Sequence, residues 1–126
     1  MEAGMVADVG VGQYVHAILL VVQPGALEAM LAAHRDHHTP AVRRQPGFVA
    51  KVLLHAAAAP DRLVMLLLWE TPDHHTAWGQ RPEHDVVLGH LRPLMVRASA
   101  TDTIPRGGYR VVAVATGRSP AERAGT

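Results

Sequence analysis

The chain has 126 residues, 48 % of them hydrophobic and 18 % charged, with a net charge of +1 and no cysteine. That length supports one domain with a genuine core, and the composition excludes a disordered chain. The missing thiols exclude disulfide scaffolds, thiolate metal sites and cysteine nucleophiles, and the near-neutral charge without basic clusters argues against nucleic acid. No apolar run reaches the length of a membrane span, and "MEAGMVADVGVG" lacks the basic and apolar regions of a signal peptide. The expectation is a soluble cytoplasmic protein with neither a membrane nor a nucleic-acid partner.

Residues 1–12 and 117–126 are rich in Gly, Ala and charge without periodicity, so they read as loose tails around a domain at 13–116. "QYVHAILLVV" (13–22) is apolar on both faces and reads as a central strand. Pro24-Gly25 turns the chain into a helix, "ALEAMLAAHRDHH", which Thr39-Pro40 should end or kink because a residue before Pro is pushed out of the α region. Pro46-Gly47 precedes a second strand, "FVAKVLLHAA" (48–57), with Phe48, Ala50, Val52 and Leu54 expected on one face. "APDR" then connects to its hairpin partner "LVMLLLWE" (63–70). Thr71 is a good N-cap for a short helix with Pro72 at its first position, and a second helix starts at Pro82-Glu83, with His84, Val87, Leu88, Leu91 and Met95 on one face. Two extended segments, near 97–104 and 108–115, flank "PRGG".

This order, β-α-β-β-α-β with an extra C-terminal strand, is that of a ferredoxin-like α+β fold: one antiparallel sheet with helices on one face. Strands apolar on both sides cannot leave the other sheet face in water. A second copy of the chain is the simplest cover, so a homodimer forming a dimeric α/β barrel is expected.

Candidate chemistry resides in the histidines and tryptophans. On the first helix, His34 and His38 fall in one stripe with Leu27, Met30, Leu31 and Ala41 when residues are projected at about 100° each. Such a pair could hold a metal, line a cavity as a proton-moving couple, or sit at a frayed helix end. The Glu of a zincin helix and a third ligand at defined spacing are both missing, and no metal is expected. His16 alternates with Tyr14 and Ile18, and His55 is expected on the face opposite Phe48; each reads first as a hydrogen-bonded sheet histidine. Ser99 lacks the strand-turn-helix elbow of a serine hydrolase, and "GRSPAERAG" is no phosphate loop.

The stretch "LLLWETPDHHTAWGQRPEH" (66–84) ends a strand in Trp-Glu-Thr, starts a helix at Pro-Asp and continues to "RPEH" and "LRPL". With the upstream "VVQPGALEAMLAAHRDHHTPAVRRQPGFVAKVLL", it closely resembles the antibiotic biosynthesis monooxygenase (ABM) family over roughly residues 14 to 104. The resemblance implies dimers of ferredoxin-like subunits with a pocket between sheet and helices. In the anthrone-oxidising branch of the family, the strand Trp, here Trp69, is accompanied by an Asn four residues earlier, where this chain has Met65. A Tyr six residues after the Trp in some members falls on His75. The haem-degrading branch fits worse, because its proximal His falls on Gly79 and its first-strand Asn has no counterpart in a chain without Asn.

Cofactor-free oxygenation requires a substrate that is itself the reductant, a base, an apolar box and a donor for the developing oxyanion. The resemblance therefore implies an oxygenase without metal, flavin or haem that acts with molecular oxygen on an aromatic polyketide or similar polyphenol. His75, Trp69 and His38 are the candidate catalytic residues. Met65, Leu67, Trp78, His34, His84 and His16 are the candidate substrate contacts. A non-oxidative cyclase or dehydratase on the same pocket, and a binding protein without turnover, are the alternatives.

Overall fold

A computed structural model describes residues 8–96 and 108–115. The strands are β1 (Tyr14–Val22), β2 (Phe48–His55), β3 (Arg62–Trp69), β4 (Met95–Val96) and β5 (Gly108–Arg110). The α-helices are α1 (Leu27–Ala33), α2 (Thr39–Arg43), α3 (Pro72–Gly79) and α4 (Pro82–Leu91). The sheet runs β2-β3-β1-β4, every described pair is antiparallel, and β5 pairs with the first half of β1. This is the ferredoxin-like α+β arrangement expected. No helix among the described residues is long and apolar enough to cross a membrane. The expected segment 97–104 lies outside the described residues, and of 108–115 only Gly108–Arg110 is strand.

The core lies between one sheet face and the helices. Leu20 and Val22 of β1 and Leu63, Met65, Leu67 and Trp69 of β3 pack with Met30, Ala41, Val42, Trp78, Val87 and Leu91. Alternation along each strand sets this pattern, since side chains two apart share a face. The expected inward stripe of the first helix is present, and of the two outcomes expected at Thr39-Pro40, an end or a kink, the helix does not end there but changes its winding just before it. α1 passes through a wide π-helical turn, His34–His38, into α2, and the Thr39 N–H bonds back five residues to the His34 carbonyl. The wide turn accommodates Pro40, whose ring would crowd the carbonyl four residues back in a regular α-helix.

A second correction concerns β2. Its register with β3 slips between Phe48 and Ala50, where a bulge sits, so Phe48 opposes Trp69 while Ala50 opposes Leu68. One extra residue flips every later side chain relative to Phe48. Phe48 therefore joins the helix-side core, edge-on to Trp69 at 5.4 Å, and does not share a face with Ala50, Val52 and Leu54. His55, expected opposite Phe48, is on the same side as Phe48, where its Nε2 is 2.9 Å from the Pro60 carbonyl. The same slip turns Lys51 and Leu53 toward the helices.

Caps fix the strand-to-helix junction that carries His74, His75 and Trp78. Thr71 Oγ1 accepts from the His74 N–H at 3.3 Å, and Pro72 occupies the first turn of α3. Gly47, at φ +76°, closes against this junction: its carbonyl accepts from Glu70 N, and any Cβ there would collide with the His74 imidazole. Arg44 and Gln45 both bond Glu83 and tie the end of α2 to the start of α4.

Candidate active site

Register across the sheet lays out the site in rows on the helix side. One row is Phe48–Trp69–Tyr14, the next is Lys51–Leu67–His16, and the third is Leu53–Met65–Ile18. α3 lowers His75 onto the first two. Its Nε2 stands 2.9 Å from His16 Nδ1, and its ring lies 5.4 Å from Tyr14 and 6.1 Å from Trp69. One imidazole must donate and the other accept, so His16 and His75 form a neutral pair that holds each other's tautomer. Burial first, then the neighbouring His75 and His84, pushes His16 down to about 4. His75 is also lowered, by burial and by His84.

Trp69 is fully buried, and its indole Nε1–H has no acceptor among the described residues. A buried donor in an apolar setting is costly to leave unbonded, so this N–H is open to any acceptor that enters the core beside it. Met65 and Leu67 line the strand beside it, both buried. Trp78 packs edge-on to His84 at 5.1 Å. A cleft of about 180 Å³ is lined by Gly12, Tyr14, Pro72, Gly108, Tyr109 and Arg110, and of these Tyr14 has its ring 5.4 Å from His75.

The other two candidates, His34 and His38, are elsewhere in the same layer. They are 2 % and 1 % exposed, so neither belongs to a frayed helix end. Both turn their Nδ1 atoms to Lys51 Nζ, at 2.8 and 2.9 Å, and Thr39 Oγ1 completes the set at 2.8 Å. Lys51 and His16 occupy one row with Leu67 between them, about 10 Å apart at the usual strand spacing. Burial, then the Lys51 charge, pushes His34 down to about 4; burial, Lys51, His34 and His84 push His38 to about 3. A His38 ring that accepts from an ammonium through Nδ1 carries its own proton on Nε2, which makes it a hydrogen-bond donor rather than a base. His84 on α4 acts electrostatically on His38, His16 and His75 alike.

Sequence reasoning passed over Lys51. The signal was present in "FVAKVLLH", where the only lysine of the chain interrupts a strand between apolar residues. The bulge that turns it inward could not be seen there. Among the described residues, no three His, Asp or Glu side chains are grouped to hold a metal ion.

A family model, antibiotic biosynthesis monooxygenase, matches residues 13–87. Among solved structures, the chain is similar to a candidate antibiotic biosynthesis monooxygenase from Bordetella bronchiseptica, with TM-score 0.64, 22 % identity, and coverage of 68 % of this chain and 88 % of that one. It is also similar to a candidate of the same kind from Nitrosomonas europaea, with TM-score 0.63, 21 % identity and coverage of 84 % and 94 %. A third similar structure is SnoaB, a cofactor-independent oxygenase from Streptomyces nogalater, with TM-score 0.62, 22 % identity and coverage of 86 % and 98 %. At these identities the likeness carries the fold. No curated protein matches the chain in sequence.

Proposed function

This chain belongs to the antibiotic biosynthesis monooxygenase family, and on that premise we propose that it is an oxygenase that uses an electron-rich phenolic aromatic as its own reductant, with molecular oxygen and no metal or flavin. The observation that carries the reading is the His16–His75 pair set against Trp69. In the tautomer where His75 Nε2–H donates to His16, His75 Nδ1 is free to take a proton from the substrate, and the pair can share the charge gained.

With an anthrone as substrate, proton removal gives a delocalised carbanion. Electron transfer to oxygen and recombination give a hydroperoxide, and loss of water leaves the quinone. One oxygen atom enters the product and the other leaves as water, so no external reductant is needed. The Trp69 Nε1–H is a donor for the developing oxyanion, and the apolar surround of Met65, Leu67 and Trp69 excludes water. SnoaB, similar in fold, is a cofactor-independent oxygenase, which supports the reading. His38, His34 and His84 take supporting parts: His84 acts electrostatically on both clusters, and His38 acts as a donor.

We also propose a homodimer closed through the sheet face away from the helices. On that face Val52 and Leu54 of β2 are 40 % and 48 % exposed, and Leu66 and Val64 continue the apolar surface across β3.

The test is oxygen uptake with 1,8-dihydroxyanthrone, followed together with quinone absorbance. Enzyme-dependent uptake of one O₂ per quinone, lost in the His75→Ala variant, supports the proposal. Conversion of a polyketide-type phenol without oxygen uptake would replace it with the cyclase alternative, and saturable binding without product would replace it with a binding protein.

A further inference from the structure

We propose that the groove between β2 and the α1–α2 helix is a second small-molecule site, which takes an organic carboxylate with an apolar body. The proposal goes beyond the oxygenase reading and stands without it. The groove has a volume of about 510 Å³, within the range of small-ligand sites. Leu31, Pro40 and Leu53 form its apolar walls; Lys51 lies within it, with Arg35 and Arg43. No lining residue is acidic.

The charge balance points to an anion. Arg35 is already matched by Asp36 at 3.0 Å, out in solvent. Among the described residues neither Lys51 nor Arg43 has a carboxylate partner. Lys51 is held by two neutral imidazoles and a hydroxyl, and across the strand it faces Leu67. His34 and His38 meet it from the helix, His84 acts on His38 from α4, and none of these groups is negative. A partly buried ammonium without a counter-charge is costly, and burial alone pushes Lys51 down to about 8. A ligand carboxylate supplies the missing charge.

The donors left over would hold that carboxylate. The three ammonium protons go to His34, His38 and Thr39, so Thr39 accepts through Oγ1 and keeps its own O–H to donate. Arg43 adds a guanidinium fork on the groove wall. A single partly buried cation among apolar walls suits a monoanion on a hydrocarbon body better than a heavily hydrated phosphate dianion.

Because Lys51 is the only lysine, ¹³Cε-lysine labelling of the full chain gives one lysine resonance. The probe is 2-naphthoate, with neutral 2-naphthylmethanol as control. We expect 2-naphthoate to shift the resonance saturably, to raise the Lys51 titration midpoint by at least about one pH unit, and to bind at least about fivefold more weakly at pH 9.5 than at pH 7. The alcohol should do none of these. Arg43→Ala should weaken binding about tenfold without touching the interior, and Lys51→Met should abolish it; if Lys51→Met does not fold, the pH series and Arg43→Ala still decide. Equal affinity for carboxylate and alcohol, no binding of either, or a Lys51 midpoint unmoved by 2-naphthoate would overturn the proposal. Because binding is read directly at Lys51, failure of the oxygen-uptake test leaves this result unaffected.

Discussion

Lys51→Met provides a direct measure of what the inward lysine costs the fold. In the folded chain burial holds Lys51 at about 8, against an ordinary value of 10.5. The folded pKa is depressed, so the folded state loses its proton first as pH rises. Between about pH 8 and 10.5 the unfolded chain binds more protons, and stability must rise with pH through that window. At about 1.36 kcal/mol for each pH unit, the full window is worth roughly 3 kcal/mol, and the part between pH 7 and 9.5 about 2 kcal/mol. The groove is partly open to solvent, whose screening reduces that gain to roughly 1 kcal/mol. Met removes the titrating group and keeps the apolar stem, so the variant should show no such rise. Its absolute stability also reflects the imidazoles left without a donor, which is why the comparison rests on the slope. Guanidinium unfolding of both proteins at pH 7, 8, 9 and 9.5 measures it. A wild-type stability that is flat or falls across this range, or an equal rise in the variant, would refute a desolvated Lys51.

His75→Ala should lower kcat for the anthrone by roughly 10²–10⁴ with little change in substrate affinity, measured by steady-state oxygen uptake. Trp69→Ala should cost about 3–5 kcal/mol of stability in chemical denaturation, because the indole lies at the centre of the core. His16, His34 and His38 are held neutral well below 6.5, so their contribution is present above that value and is lost as pH falls toward 4, when the unfolded chain binds protons first. Unfolding at pH 6.5 and 5 should show a loss of roughly 1 kcal/mol per imidazole after solvent screening, reduced in a His38→Gln variant. Leu54→Asp should convert a light-scattering dimer into a monomer, and a wild-type monomer at micromolar concentration would remove the dimer altogether.

Much of this protein is legible in the order of its residues. Alternating apolar runs, the Pro-Gly turns and the Thr71-Pro72 cap are local signals, and they led to the ferredoxin-like order because periodicity and turn chemistry act over a few residues at a time. The inward stripe carrying His34 and His38 was equally readable, since a helix repeats every 3.6 residues whatever it packs against. What tertiary structure alone decided are the partnerships. Nothing near His16 in sequence announces His75, which lies 59 residues away and meets it only because α3 packs back onto the sheet. Pro40, a stop signal by local rules, is carried within a helix because a π-turn before it makes room. Lys51 faces inward because one bulged residue at Phe48–Ala50 reverses the pleat, a shift of register that depends on the pairing with β3 and leaves no mark in the composition of the strand.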